Sequence, residues 1–133
     1  MATQEDVRRI ALRLPDTAEA ENRFAFSVKN GGKRKEFAWI WLERAEPKGP
    51  RVPNPEVIAV RVSDSTEKEM LVASEPAKYF TEPHYAGFPA VLVRLAAVEP
   101  DELEELLIDA WRIQAPRSLV KRYDAEAGED QGR

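Results

Sequence analysis

The pattern of apolar and polar residues predicts helices near both ends of the chain and strands between them. Val7, Ile10 and Leu14 recur at helical spacing after Thr3, which can cap a helix that Pro15 ends. Further helices are predicted from Asp64 to about Ser74, from Pro100 through Trp111, and at about Arg117–Tyr123.

Alternating apolar positions predict five strands. Phe24–Val28 and Glu36–Leu42 lie on either side of Asn30-Gly31-Gly32, whose glycines tolerate positive φ, so these two segments are expected to form a hairpin. The four prolines and one glycine of residues 43–55 predict a loop without regular structure. Three more strands are predicted at Val57–Val62, Lys78–Thr81 and Ala90–Leu95.

The returning strand of the hairpin is apolar on both faces. Because side chains alternate along a strand, Phe37, Trp39 and Trp41 are expected to share one face. Ala38, Ile40 and Leu42 are expected on the other. We therefore expect a central strand whose aromatic residues belong to the core in preference to forming a stacking platform. The element order is α-β-β-β-α-β-β-α, an α+β fold with helices on a mainly antiparallel five-stranded sheet.

Composition narrows the class of protein. A chain of 133 residues, 43% of them apolar, predicts one domain over residues 1–124, and the charged, glycine-containing residues 125–133 are expected to be a disordered tail. The absence of cysteine excludes a disulfide framework and a thiolate metal site, and favours a reducing compartment. No apolar run approaches the roughly 18–20 residues of a membrane helix, and residues 1–6 are polar and acidic, so we expect a cytoplasmic protein.

Several segments together carry a resemblance to a known family. In their order and spacing they resemble the MmcQ/YjbR family of small bacterial proteins, over residues 3–117. The segments are Leu14-Pro15-Asp16-Thr17, Lys35-Glu36-Phe37-Ala38, Tyr79–Gly87, Val91–Leu95 and Glu102–Pro116. The resemblance implies a two-layer α-β(3)-α-β(2)-α fold, which agrees with the order derived above. It also implies DNA binding, as the family is commonly described, and no catalytic residues.

The net charge of −4 conceals one basic segment. Residues 23–51 carry eight basic and three acidic side chains, so a local positive surface is expected on an acidic protein. The first hypothesis is that these cations contact DNA phosphates. The residues concerned are Lys29, Lys33, Arg34 and Lys35 on the hairpin, with Arg44, Lys48 and Arg51 on the proline-rich loop extending the patch.

A second hypothesis concerns a surface between the last two predicted strands, the turn that joins them and the helix that starts at Pro100. Aromatic residues with polar tips cluster there beside prolines and cations, as in surfaces that bind a protein partner or a small ligand. The candidate residues are Tyr79, His84, Tyr85, Phe88 and Arg94.

The sequence offers no catalytic, metal or cofactor motif. His84 is the single histidine and has no ligand or triad partners at a recognisable spacing. Gly31-Gly32-Lys33 lacks the spacing of a phosphate loop, and no serine lies in a G-x-S-x-G elbow. We therefore expect a protein that is not an enzyme and that needs no cofactor or metal.

Overall fold

In a computed structural model, which describes residues 1–44 and 49–131, four α-helices accompany one antiparallel sheet. The sheet has six strands in the order β1-β2-β3-β4-β6-β5. Two 3-10 turns, at Pro83–Tyr85 and Leu95–Ala97, precede and follow β6. The elements are α1 (Gln4–Arg13), β1 (Thr17–Glu19), β2 (Ala25–Asn30), β3 (Lys33–Arg44), β4 (Arg51–Arg61), α2 (Ser65–Ser74), β5 (Tyr79–Phe80), β6 (Ala90–Arg94), α3 (Pro100–Gln114) and α4 (Arg117–Gln131).

The capping signals lie where the sequence predicts them. The Thr3 hydroxyl accepts a hydrogen bond from the Asp6 backbone amide, and the Asp6 carboxylate accepts one from the Thr3 amide at 2.9 Å. This capping box satisfies two of the amides that a helix start leaves unpaired. At α2 the Asp64 carboxylate accepts from the Glu67 amide at 2.9 Å.

The four helices and the antiparallel sheet confirm the predicted α+β class.

The prediction of five strands is wrong by one. Thr17–Glu19 forms an additional edge strand, β1, paired antiparallel to β2 with Ala18 opposite Ser27. These three residues show no apolar alternation, and Ala18 is exposed, so they carry no local strand signal. Their extended conformation comes from the hydrogen-bonding edge that β2 offers.

The predicted loop over residues 43–55 is too long. β3 continues to Arg44 and β4 begins at Arg51, with Leu42 opposite Pro53 and Glu43 opposite Val52. Proline is tolerated in a strand that has a free edge, and β6 pairs with β4 only from Val57 onward. Pro53 and Pro55 therefore lie in the part of β4 that has one partner strand among the described residues, and residues 45–48 lie outside that description.

The last helix is longer than the sequence predicts. α4 continues from Arg117 to Gln131, so residues 125–131 are helical where a disordered tail is expected. Ala125, Glu126 and Ala127 are strong helix formers, and they extend the helix beyond the predicted end at Tyr123.

A β-bulge decides which face of the sheet each aromatic residue of β3 occupies. Phe26 pairs with Ala38 and Ser27 with Glu36, so Phe37 is an extra residue in β3. Because a bulge interrupts the alternation of side chains, Phe37 joins Ala38 in the main core. The prediction that Phe37 shares a face with Trp39 is therefore wrong.

The main core lies between the sheet and the helices. Trp111 of α3 is fully buried there, and its indole Nε1 donates to the carbonyl oxygen of Pro15 at 3.0 Å. A second, smaller cluster lies on the other face of the sheet, and no residue of the four α-helices belongs to it among the described residues. It consists of the buried residues Val57, Ala59 and Leu92, covered by Trp39, Trp41, Phe80 and Tyr85.

Candidate nucleic-acid interface

Four of the predicted DNA-contacting cations lie together on the β2–β3 hairpin. The turn is made by Gly31, at φ 66°, and Gly32. The hairpin projects its cations to both sides, since the register places residue 29 opposite 34 and residue 28 opposite 35. All four are exposed, namely Lys29, Lys33, Arg34 and Lys35.

Arg34 differs from its neighbours because its guanidinium group is hydrogen-bonded within the protein. The group donates to the hydroxyl and the carbonyl oxygen of Ser27, each at 2.8 Å, and to the carbonyl oxygen of Asp16 at 3.0 Å. Arg34 thus ties β3 to β2 and to the segment before β1. Its main role in the structure is to hold the hairpin against its neighbours.

Arg51 lies at the opposite end of β3 from the hairpin, so the predicted cations whose side chains are described do not form one patch. β3 runs for 12 residues from Lys33 to Arg44, which corresponds to about 35 Å of extended chain. Arg51 is exposed there and donates to the carbonyl oxygen of Leu42 at 3.1 Å. Lys48 and the Arg44 side chain lie outside the described residues. The prediction that the proline-rich segment extends the hairpin patch therefore does not hold for Arg51, and it stays a prediction for the Arg44 and Lys48 side chains.

The fold brings two other cations to the hairpin. The Asn30 side chain donates to the carbonyl oxygen of Gln114 at 2.9 Å, which places Arg117, at the start of α4, beside the turn. The Lys29 amide donates to the carbonyl oxygen of Asp16, just after the C-terminal end of α1, where Arg13 lies. Arg13 and Arg117 are both exposed. Sequence analysis missed them because they lie far from the basic segment along the chain.

The predicted surface around Tyr79 and Arg94 is not continuous. Tyr79 is buried in the main core, and burial raises the pKa of its phenol. The Arg94 guanidinium lies over the Phe80 ring, 4.2 Å from its centre, and donates to the carbonyl oxygen of Pro76 at 3.0 Å. The His84 side chain lies outside the described residues. Tyr85 and Phe88 do contact each other, with ring centres 6.2 Å apart.

Tyr85 and Phe88 instead join the tryptophans of β3 to form an aromatic face. We use this term for Trp39, Trp41, Phe80, Tyr85 and Phe88 on the side of the sheet away from the helices. The Trp39 indole donates to the Tyr85 hydroxyl at 3.2 Å and packs edge-on against Phe88. Trp41 packs edge-on against Phe80, with ring centres 5.4 Å apart. The two tryptophans are half-buried on this face, outside the main core to which they were predicted to belong.

Two cavities open on the aromatic face and share the hydrogen-bonded pair Trp39 and Tyr85. One, of about 490 Å³, extends along β3 to Trp41 and Arg51. The other, of about 380 Å³, extends to Arg61 and Phe88. Both lie within the size range of ligand sites in proteins, roughly 300–1,000 Å³. We call the two together the aromatic trough.

Polar atoms of the trough region are left without a partner. Trp41 Nε1, Arg61 Nε and Glu82 Oε1 are the buried side-chain nitrogen and oxygen atoms in the described part of the chain that have no hydrogen bond. An unpaired buried polar atom costs about 1–3 kcal/mol, so these three atoms lower the stability of this part of the fold. The Glu36 carboxylate beside the trough is neutralised by an ion pair with Arg23.

One buried lysine holds the segment that supplies Tyr85 and Phe88. Lys68 of α2 is 6% exposed, and its ammonium donates to the carbonyl oxygen of Tyr85 at 2.6 Å and of Phe88 at 3.1 Å. Burial lowers the pKa of Lys68. Sequence analysis missed this residue because a lysine on a helix with charged neighbours predicts a solvated face.

The described residues contain no group of three or more His, Asp or Glu side chains that could hold a metal ion. None of their helices is long and apolar enough to cross a membrane.

Fold and site define a small two-layer α+β protein with a basic hairpin and an open aromatic sheet face. The family model YjbR matches residues 12–113, and the chain belongs to this family. Uncharacterized proteins of Mycobacterium tuberculosis and Mycobacterium bovis are 43% identical to it over 134 residues, which cover 96% of this chain and 100% of theirs.

A solved structure shows the same fold. The crystal structure of a Deinococcus radiodurans protein with a DUF419 domain superposes with a TM-score of 0.61 over 84% of this chain and 77% of that one. The two sequences are 22% identical, so this likeness bears on the fold alone.

Proposed function

We propose that this protein binds DNA without catalysing a reaction, and that its β2–β3 hairpin contacts the phosphates. The observation that carries the proposal is the group of exposed cations at the hairpin. Lys29, Lys33 and Lys35 make no ion pair with any residue of the described chain, so their ammonium groups are available to phosphates.

The neighbouring helix ends strengthen this surface. Arg13 and Arg117 place further positive charge beside the hairpin, while Glu36 is already paired with Arg23. Positive charge concentrated at one end of an acidic protein attracts DNA over a short range and orients it. Phosphate contacts of this kind position a protein on DNA without selecting a sequence.

The test is a titration of a fluorescent 20-base-pair duplex, followed by anisotropy at 50 and 150 mM NaCl. The wild type is compared with the double variant Lys33→Ala/Lys35→Ala. The control is Lys121→Ala/Arg122→Ala, which removes the same charge from exposed positions on α4. Circular dichroism checks that both variants are folded.

We expect the hairpin variant to bind more weakly and its salt dependence to flatten. Each phosphate contact contributes about 0.9 to the slope of log affinity against log salt, so losing two contacts lowers the slope by about 2. Equal weakening in both variants would mean that net charge alone governs binding. No binding of the wild type at 50 mM NaCl would refute the proposal.

A further inference from the structure

We propose that the aromatic trough is a stacking site for the unpaired bases of single-stranded DNA. This rests on the proposed function for the ligand class, but on different residues. The observations that support it are the aromatic lining of the trough and the cations along β3.

The trough offers ring faces to a planar ligand. Trp39 and Tyr85 form a shared wall, with a cavity on each side. Phe88 lies beside them and is 43% exposed, whereas phenylalanine side chains are most often buried. Successive bases stack on aromatic side chains of this kind in proteins that bind single strands.

Cations lie at one end of the trough and beyond the other. Lys29 follows Val28, which is in the main core, so its side chain projects toward the aromatic face at the hairpin end of the sheet. Arg51 lines the cavity at the other end of β3. A strand that follows β3 thus meets Lys29, then the neutralised Glu36–Arg23 pair, then aromatic rings, then Arg51. The length of β3, about 35 Å, suits a site within the usual range of roughly 4 to 16 nucleotides.

Stacking in the trough requires bases that are free of their partner strand. In a duplex these bases are stacked on each other and cannot enter the trough, so the site selects unpaired strands.

The experiment compares two oligonucleotides that differ only in their bases. A 12-mer of thymidine and an abasic 12-mer carry the same phosphates, so a difference in affinity reports base contacts. Binding is followed by quenching of tryptophan fluorescence, because Trp39 and Trp41 are half-buried at the trough. The variant is Phe88→Ala, and the control is Met70→Ala, another exposed apolar residue, on α2.

We expect the thymidine strand to quench the fluorescence and to bind at least about fivefold more tightly than the abasic strand, since each stacked base contributes measurably to affinity. Phe88→Ala should reduce this preference, and Met70→Ala should leave it unchanged. Equal affinity for the two strands, or an unchanged preference in Phe88→Ala, would overturn the inference.

The outcomes separate this inference from the proposed function. Lys33→Ala/Lys35→Ala should weaken binding of the duplex and of both 12-mers together, because it removes phosphate contacts. A base preference without duplex binding would support the trough and refute the duplex proposal. Self-association that is lost in Phe88→Ala, with no base preference, would assign the trough to a second copy of the chain and overturn the inference.

Discussion

Replacing Lys68 by methionine should loosen the segment that carries Tyr85 and Phe88. Methionine keeps the length of the side chain and removes the ammonium, so the change is confined to two hydrogen bonds and one buried charge. Lys68 is the one buried charged residue in the described part of the chain. It has no carboxylate partner among those residues and is satisfied by the two backbone carbonyls.

The magnitude follows from three terms. Hydrogen bonds from a charged donor contribute about 1.5–3 kcal/mol each. The cost of burying the ammonium opposes these hydrogen bonds. In the variant neither carbonyl is left unpaired, because the Tyr85 carbonyl still accepts from the Phe88 amide and the Phe88 carbonyl from the Ala90 amide. We therefore expect a net loss of about 2 kcal/mol of unfolding free energy. For a domain of this size that lowers Tm by about 6–8 °C.

The pH dependence gives an independent check. Burial lowers the pKa of Lys68 below its ordinary value of 10.5, so between the two values the unfolded chain binds more protons than the folded one. The stability that wild type gains from Lys68 therefore rises with pH in this window. The Tm difference between wild type and Lys68→Met should widen as the pH rises through the lowered pKa toward 10.5.

Calorimetry of wild type, Lys68→Met and the exposed control Lys121→Met measures both effects. The reasoning is refuted if Lys68→Met melts within 1 °C of the control, taking about 1 °C as well below the expected shift. A Tm difference that stays constant or narrows with pH would refute the pKa argument alone.

Other substitutions test the core, the hairpin turn and one ion-pair network. Leu107→Ala, at a fully buried position of α3, should cost about 2–5 kcal/mol by chemical denaturation. Gly31→Ala should lower the free energy of unfolding by about 1 kcal/mol, because Gly31 has φ +66° and an added Cβ would meet no other atom. Gly32→Ala should change stability little. Equal effects of the two substitutions would show that the positive φ is not the cause. The Lys78 ammonium holds the pKa of Glu102 below its usual range. Wild type should therefore be more stable than Glu102→Gln at pH 7, and this advantage should disappear as the pH falls through the lowered pKa. Thermal melts of both proteins at pH 7 and pH 3 measure the difference.

Local signals in the sequence predict most of the elements correctly. Thr3 with Asp6 and Asp64 with Glu67 act over three residues, so the starts of α1 and α2 depend on nothing distant. The positive φ required at Gly31 likewise places the first hairpin turn. The order and spacing of short segments were sufficient to indicate the family.

The candidate site was predicted only in part. The hairpin cations Lys29, Lys33 and Lys35 are adjacent in sequence and in space, because a tight turn joins them. Arg44 and Arg51 belong to the same basic segment but lie at the far end of a 12-residue strand. Charge counted along the chain does not distinguish these arrangements, since an extended strand carries neighbours in sequence far apart.

The sequence by itself determined the helix caps, the hairpin turn, the α+β class and the presence of a basic segment. Tertiary structure decided the rest. β1 is a strand because β2 offers it an edge, and Trp39 lies on the face opposite Phe37 because the pairing with β2 leaves one extra residue in β3. Alternation, capping and turn chemistry act within a few residues, whereas bulges, edge pairing and the grouping of distant cations depend on the partner that each segment meets in the fold.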